Sequence, residues 1–127
     1  MTDVDRFKEV NDRFGHLLGD AVLRDLAALL AGELRAADRL GRYGGEEFAL
    51  LLVVPSAGAA SNALERMRHS VEGFDWDRHA AGMRVTISAG IAAWRRGEAA
   101  EQILKRADEA LYDAKKSGRN RVCVSPA

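Results

Sequence analysis

Two adjacent glutamates, Glu46 and Glu47, follow the dipeptide Gly44-Gly45 at the start of an apolar segment. Neighbouring side chains of a strand point to opposite faces, so one glutamate can point into a site while the other points across it. Carboxylates beside apolar residues are costly unless they are solvated, paired or bound to a cation. The pair therefore indicates either a polar hairpin tip or a divalent-metal site, because hard cations prefer carboxylate oxygens.

A further carboxylate, Asp3, stands where a short first strand ends and a helix begins. A carboxylate at a strand end is well placed to share a metal ion with a carboxylate from a neighbouring strand. The alternative is that Asp3 or Asp5 caps the helix, a role that aspartate performs well. This segment taken alone favours the cap.

An amide and a carboxylate, Asn11 and Asp20, flank the glycine-containing segment 15–19. If the turn folds them together, the pair suits a guanine edge, because a carboxylate can accept from the ring N–H and the exocyclic amine. Asp20 is equally a good N-cap for the helix predicted to follow it.

Basic residues are concentrated near the end of the chain, at Lys115, Lys116, Arg119 and Arg121. Cations in the last turn of a helix complement its dipole, which is the simpler interpretation. The alternative is a phosphate site, with lysine as a point charge and arginine as a planar fork.

The spacing of apolar residues predicts which elements position these side chains. Helices are predicted over residues 5–14, 20–35, 61–71 and 101–116. Strands are predicted at 1–4, 39–43, 46–54, 84–92 and 121–124, and residues 73–82 are predicted to form a loop. Gly44-Gly45 is predicted to be a two-residue hairpin turn that supplies positive φ, followed by an interior strand. Helices and strands without a strict βαβ rhythm favour an α+β or α/β sandwich, with a mixed sheet covered by helices.

The composition argues against several classes of protein. The chain has 127 residues with 19 Lys and Arg against 19 Asp and Glu, and this balance disfavours a general nucleic-acid binder. The longest apolar run, residues 48–54, is too short to span a membrane. A single cysteine, Cys123, allows no internal disulfide, and the N-terminal residues lack a signal-peptide pattern. We therefore expect a cytoplasmic protein without membrane contact.

Three strings carry a family resemblance. The first is Gly44-Gly45-Glu46-Glu47-Phe48. The second is Asp3-x-Asp5-x-Phe7-Lys8-x-x-Asn11-Asp12-x-x-Gly15-His16-x-x-Gly19-Asp20. The third is Ala107-Asp108-Glu109-Ala110-Leu111-Tyr112-x-Ala114-Lys115-x-x-Gly118-Arg119-Asn120, with Ser88-x-Gly90-Ile91 in the strand before it. In this order and spacing they resemble the GGDEF family, the diguanylate cyclases, in its Glu variant, and the resemblance covers essentially the whole chain.

The resemblance implies a fold and a reaction. The fold is α+β, with a central, mostly antiparallel five-stranded mixed sheet surrounded by helices, similar to nucleotidyl cyclases and polymerase palms. A single domain is expected over residues 1–127, without the family's usual N-terminal helix and most of its first strand. The implied reaction condenses two GTP molecules into cyclic di-GMP and releases pyrophosphate. It requires a homodimer, since each of two facing domains binds one GTP.

The resemblance also implies a metal and catalytic set. Asp3, Glu46 and the Val4 carbonyl would bind two Mg²⁺ or Mn²⁺ ions at each GTP site. Glu46 is the candidate base, Glu47 supports the site, and Lys8 belongs to the same catalytic set.

Substrate contacts follow from the same motifs. The resemblance assigns guanine to Asn11 and Asp20. It assigns the phosphates to Lys8, Lys115 and Arg119.

A product-inhibition site is implied by Arg35-x-x-Asp38, which precedes Gly44 at the family's spacing. Arginine can fork onto guanine acceptors, aspartate can accept from guanine donors, and Arg66 on the next helix matches a contributing position. The alternative is an ordinary i,i+3 ion pair at a helix end.

Two other functions stay open at this point. One is a binding module without turnover, a cyclic di-GMP receptor through Arg35 and Asp38 or a GTP sensor. The other is a general metal-dependent phosphotransferase, which is disfavoured by the guanine-binding pair and by the lack of a P-loop string.

Overall fold

The structure is a computed structural model that describes residues 1–126. The strands are β1 (Thr2–Val4), β2 (Arg39–Arg42), β3 (Glu47–Leu51), β4 (Ile87–Ile91) and β5 (Val122–Val124). The α-helices are α1 (Phe7–Phe14), α2 (His16–Gly32), α3 (Ala57–Glu72) and α4 (Ala100–Lys116). Within residues 1–126, no helix has the length and apolar content that crossing a membrane requires.

All five strands form one mixed sheet in the order β2-β3-β1-β4-β5, so the first strand of the chain lies in the middle. The pairs β2–β3, β1–β3 and β1–β4 are antiparallel, and β4–β5 is parallel. The expected α+β fold with a mostly antiparallel five-stranded sheet is confirmed. The apolar strand β3 is interior, as its composition predicts, because β2 and β1 cover both of its edges.

Helices cover both faces of the sheet. On one face, α2 and α3 contribute Leu26, Leu30 and Met67 to the main core, which includes Ile87 of β4. On the other face, α4 lies directly on β4, where a Cβ at Gly90 would stand 2.1 Å from the backbone N of Leu111. Only glycine permits this approach, so α4 is fixed close above the middle of the sheet.

The break between the first two helices is one residue long. Gly15 has a φ of 88° and turns the chain by itself, so α2 begins at His16. The predicted interruption within segment 15–19 is confirmed at Gly15, but its predicted length is wrong, because residues 16–19 are helical. Asp20 lies inside α2, and its predicted role as the N-cap is wrong too.

Other elements also differ from the expected ones. Helix α3 begins at Ala57, earlier than predicted, because Ser56 Oγ accepts from the backbone N of Ala59 at 3.1 Å and caps it. Strand β4 covers only part of the predicted segment 84–92. The predicted loop 73–82 includes a 3₁₀ turn over Trp76–Arg78.

The hairpin between β2 and β3 has a wider loop than predicted. Strand pairing ends at Arg42 opposite Phe48, and neither Gly44 nor Gly45 has positive φ. The Arg42 guanidinium donates to the Gly45 carbonyl at 2.7 and 3.0 Å, so this loop carbonyl has hydrogen-bond partners without a tight turn. The prediction of a two-residue glycine turn is wrong, and Glu46 lies in the loop rather than in the strand.

Candidate active site

Acidic residues from β1 and from the β2–β3 hairpin meet at one end of the sheet, near its middle strand. Asp3 is directly opposite Glu47 in the antiparallel register. The backbone N of Val4 donates to the Glu46 carbonyl at 3.2 Å. The fold therefore brings together the three residues that the sequence predicted to share a cation, together with Glu47.

Neither Asp3 nor Asp5 caps α1. The N-cap residue is Arg6, with φ 53° and ψ 38°, and no side chain bonds to this end of the helix. The capping interpretation of Asp3 and Asp5 is therefore wrong. Both carboxylates make contacts far along the chain instead.

Asp3 is a buried carboxylate with an incomplete set of partners. It is 4% exposed, and its Oδ2 accepts from the Lys115 ammonium. Within residues 1–126, no donor reaches the buried Oδ1. Burial raises the pKa of Asp3; the Lys115 hydrogen bond and charge oppose this, and the negative charges of Glu46 and Glu47 add to it. An additional positive charge beside Asp3 would offset the cost of ionising it.

The set of oxygen donors around Asp3 fits a hard divalent cation. The unpartnered Oδ1 of Asp3 and the neighbouring glutamates supply charged oxygens. In the described part of the chain, no three His, Cys, Asp or Glu side chains are grouped closely enough to hold a metal alone. Proteins typically bind Mg²⁺ through one or two carboxylates, while substrate phosphates and water complete the shell.

The predicted guanine-binding residues lie on adjacent helices. Asp20 is exposed at a cleft of about 550 Å³ whose apolar lining includes Leu23, Leu40 and Phe48. Asn11 lies against Gly19, where a Cβ would stand 2.0 Å from its Oδ1. Because Gly19 has no side chain, α1 and α2 can pack closely enough for the Asn11 amide to lie against it, one residue before Asp20. Such a cleft suits a planar base, with the carboxylate at its rim.

The predicted phosphate-binding residues are dispersed around the same end of the sheet. Lys115 contacts Asp3 directly. Arg119 lines a second cleft of about 410 Å³. Lys8 is exposed in the first turn of α1.

The predicted inhibitory site has an unexpected internal structure. Both oxygens of Asp38 accept backbone N–H groups, from Val53 at 2.8 Å and from Arg35 at 2.9 Å, and these bonds lower the pKa of the carboxyl. In residues 1–126, no ion pair joins the side chains of Arg35 and Asp38, so that alternative is wrong. Arg66 pairs with Glu33 at 3.7 Å, which holds it beside the end of α2.

The role of Asp5 was not predicted from the sequence. This buried carboxylate accepts hydrogen bonds from Thr86, Ser88 and the backbone N of Asn120. Asp5, Ser88 and Asn120 all belong to the motif strings, and that shared membership was the available signal.

Comparison with known proteins gives a consistent match. The family model "Diguanylate cyclase, GGDEF domain" covers residues 1–121. Diguanylate cyclase DgcP of Pseudomonas aeruginosa is 45% identical over 125 residues, which is 98% of this chain and 19% of DgcP. The chain spans between 19% and 41% of the length of the curated relatives compared.

Solved structures match over almost the whole chain. The GGDEF domain of DgcB from Caulobacter crescentus, in complex with c-di-GMP, has a TM-score of 0.92 at 35% identity, covering 99% of this chain and 75% of that one. The active GGEEF domain of a diguanylate cyclase from Vibrio cholerae has a TM-score of 0.90 at 34% identity, covering 99% and 80%.

Proposed function

This chain belongs to the GGDEF family of diguanylate cyclases, and from that premise we propose that it condenses two GTP molecules into cyclic di-GMP and releases pyrophosphate. The observation that carries the proposal is the buried, incompletely partnered Asp3 beside Glu46 and Glu47. The binding-module alternative is not favoured, because acidic residues are present at each position where the chemistry needs one.

The reaction joins the 3′-hydroxyl of one GTP to the α-phosphorus of the other, and the bond to pyrophosphate breaks. Glu46 accepts the proton of the attacking hydroxyl. Asp3, Glu46 and the Val4 carbonyl would hold Mg²⁺ or Mn²⁺, and Glu47 supports them. When bound, two such ions would activate the hydroxyl and stabilise the leaving oxygen.

Binding of GTP uses the neighbouring side chains. Asp20 accepts from the ring N–H and exocyclic amine of guanine, and Asn11 contributes its amide. Adenine lacks this donor pair, so the site selects against ATP. Lys8, Lys115 and Arg119 hold the phosphates, with Arg119 able to form a bidentate contact.

Catalysis needs two copies of the domain, because each GTP is attacked by the other and the product has two-fold symmetry. We propose a homodimer in which each protomer presents one loaded site. A cytoplasmic location follows from the use of GTP as the substrate.

Incubation with GTP and Mg²⁺ tests the function directly. We expect cyclic di-GMP by liquid chromatography and mass spectrometry, with two pyrophosphates released for each product, and no product from ATP. Calorimetric binding of GTP without pyrophosphate release would instead identify a binding module and overturn the proposed activity.

We further propose that the product inhibits the enzyme through Arg35, Asp38 and Arg66. Asp38 is already bonded to the backbone through both oxygens, so Arg35 is the group free to bind guanine acceptors. The Arg35 side chain is exposed, and truncating it removes little from the fold. Arg35→Ala is therefore expected to weaken cyclic di-GMP binding at least tenfold without changing the midpoint of thermal unfolding.

Calorimetry with cyclic di-GMP and progress curves of pyrophosphate release measure this effect. Arg96→Ala, at another exposed arginine, is the matched control and is expected to be inhibited like the wild type. Unchanged inhibition in Arg35→Ala would contradict the assignment.

A further inference from the structure

A buried carboxylate that the proposed reaction does not use, Asp5, joins three parts of the chain. It is 7% exposed, and its Oδ1 accepts from Ser88 Oγ at 2.6 Å. Its Oδ2 accepts from Thr86 Oγ1 at 2.7 Å and from the backbone N of Asn120 at 2.9 Å. Three donors compensate for the burial of the charge, so the carboxylate is firmly held. Asp5 thereby ties the segment after α4 to the end of β1.

The segment that Asp5 holds has an unusual backbone. Arg119 and Asn120 are consecutive non-glycine residues with φ values of 62° and 45°. L residues keep this conformation only where the surroundings impose it. Asn120 is held by three contacts: its backbone N donates to Asp5, its Oδ1 accepts from the Arg68 guanidinium at 2.9 Å, and its Nδ2 donates to Glu72. Loss of the Asp5 contact would allow the segment to relax.

Arg119 immediately precedes the residue that Asp5 holds, and it lines the cleft of about 410 Å³ together with Asp5. A change in the φ and ψ angles here would redirect the Arg119 guanidinium by several ångströms, because the side chain is long. We propose that Asp5 is a positioning residue that fixes Arg119 for the phosphates of GTP. The inference rests on the proposed role of Arg119 in GTP binding.

A double-mutant cycle separates positioning from general support of the fold. The affinity for a non-hydrolysable GTP analogue with Mg²⁺ is measured by calorimetry for the wild type, Asp5→Asn, Arg119→Ala and the double variant. Asp5→Asn loses one charge-assisted hydrogen bond to the Asn120 segment, so we expect an affinity about tenfold lower. In the Arg119→Ala background, the same substitution is expected to change the affinity less than twofold.

Asp25→Asn is the matched control. Asp25 lies on α2 and is a partly buried carboxylate whose Oδ2 is 2.5 Å from His79 Nε2. The Asp25→Asn variant is expected to lower the thermal midpoint and to leave GTP affinity unchanged. If Asp5→Asn does not fold, a Thr86→Val and Ser88→Ala double variant replaces it in the cycle, because it removes the two donors that hold the Asp5 carboxylate in place against the backbone N of Asn120.

Two outcomes would overturn the inference. If the losses of affinity from position 5 and from Arg119→Ala multiply, Asp5 supports the fold without acting through Arg119. If the folded wild-type protein binds no GTP analogue, the proposed function fails, and this inference fails with it. If the two losses of affinity for the GTP analogue do not multiply, the result supports the positioning role of Asp5.

Discussion

The Glu46→Gln variant is expected to fold and to bind GTP, yet to form cyclic di-GMP about 10³-fold more slowly than the wild type. Glutamine has the same shape but cannot take the hydroxyl proton, and it offers a cation no charged oxygen. Residue 46 bonds to Val4 through its backbone carbonyl, a contact that glutamine retains. The initial rate of pyrophosphate release at saturating GTP measures the loss, and a thermal midpoint checks the fold.

The control for this variant is Glu109→Gln, which replaces an exposed glutamate on α4. Its turnover is expected to match the wild type. A Glu46→Gln enzyme with turnover within tenfold of the wild type would show that another group accepts the proton.

Asp3→Asn is expected to abolish turnover and to raise the free energy of unfolding at pH 7. Burial raises the pKa of Asp3, so its environment disfavours the charged form despite Lys115. The Lys115 side chain is 33% exposed, and water can therefore solvate its ammonium once the partner is neutral. We expect a gain of about 0.5–2 kcal/mol, the usual size of a stabilising change at a functional position.

The pH dependence of this gain has a defined sign. A carboxyl whose pKa is raised in the folded state contributes its full stabilisation at any pH below its ordinary pKa of 3.8. This stabilisation is lost as the pH rises through the folded-state pKa. The variant has no such group. Its advantage should therefore be absent near pH 3 and should appear as pH rises through the folded pKa of Asp3.

Thermal unfolding across this pH range, with and without Mg²⁺, measures both effects. Mg²⁺ that binds only the folded state is expected to raise the thermal midpoint of the wild type but not that of Asp3→Asn. Asp113→Asn, at an exposed position on α4, is the control and should respond to Mg²⁺ like the wild type. A variant less stable than the wild type at pH 7 would mean that the Lys115 pair outweighs the cost of burial.

The sequence predicted the elements more reliably than their ends. Apolar spacing correctly predicts four helices and the sheet strands, because burial of one face is a repeated signal. The ends depend on single groups, such as the φ of Gly15 and the Ser56 cap. The hairpin loop depends on the Arg42 guanidinium, whose contacts no turn preference anticipates.

The candidate site was predictable only in its residue types. Asp3 meets Lys115, which is 112 residues later, and Asp5 meets Asn120, which is 115 residues later. No local pattern fixes such pairings, because they depend on how helices and strands pack. The predicted strand position of Glu46 is wrong for a similar reason, since the loop width decides whether that residue belongs to the strand.

The central place of β1 in the sheet has a consequence for synthesis on the ribosome. Strand β1 is translated before both of its neighbours in the sheet: it gains a partner when β3 emerges, but its other edge stays bare until β4 has been made. A nascent chain paused between these points would present unpaired N–H and C=O groups to neighbouring polypeptides. The fraction of chains that reach the native state should therefore depend on how fast residues 52–86 are translated. It should also depend on whether chaperones bind the nascent chain during that time.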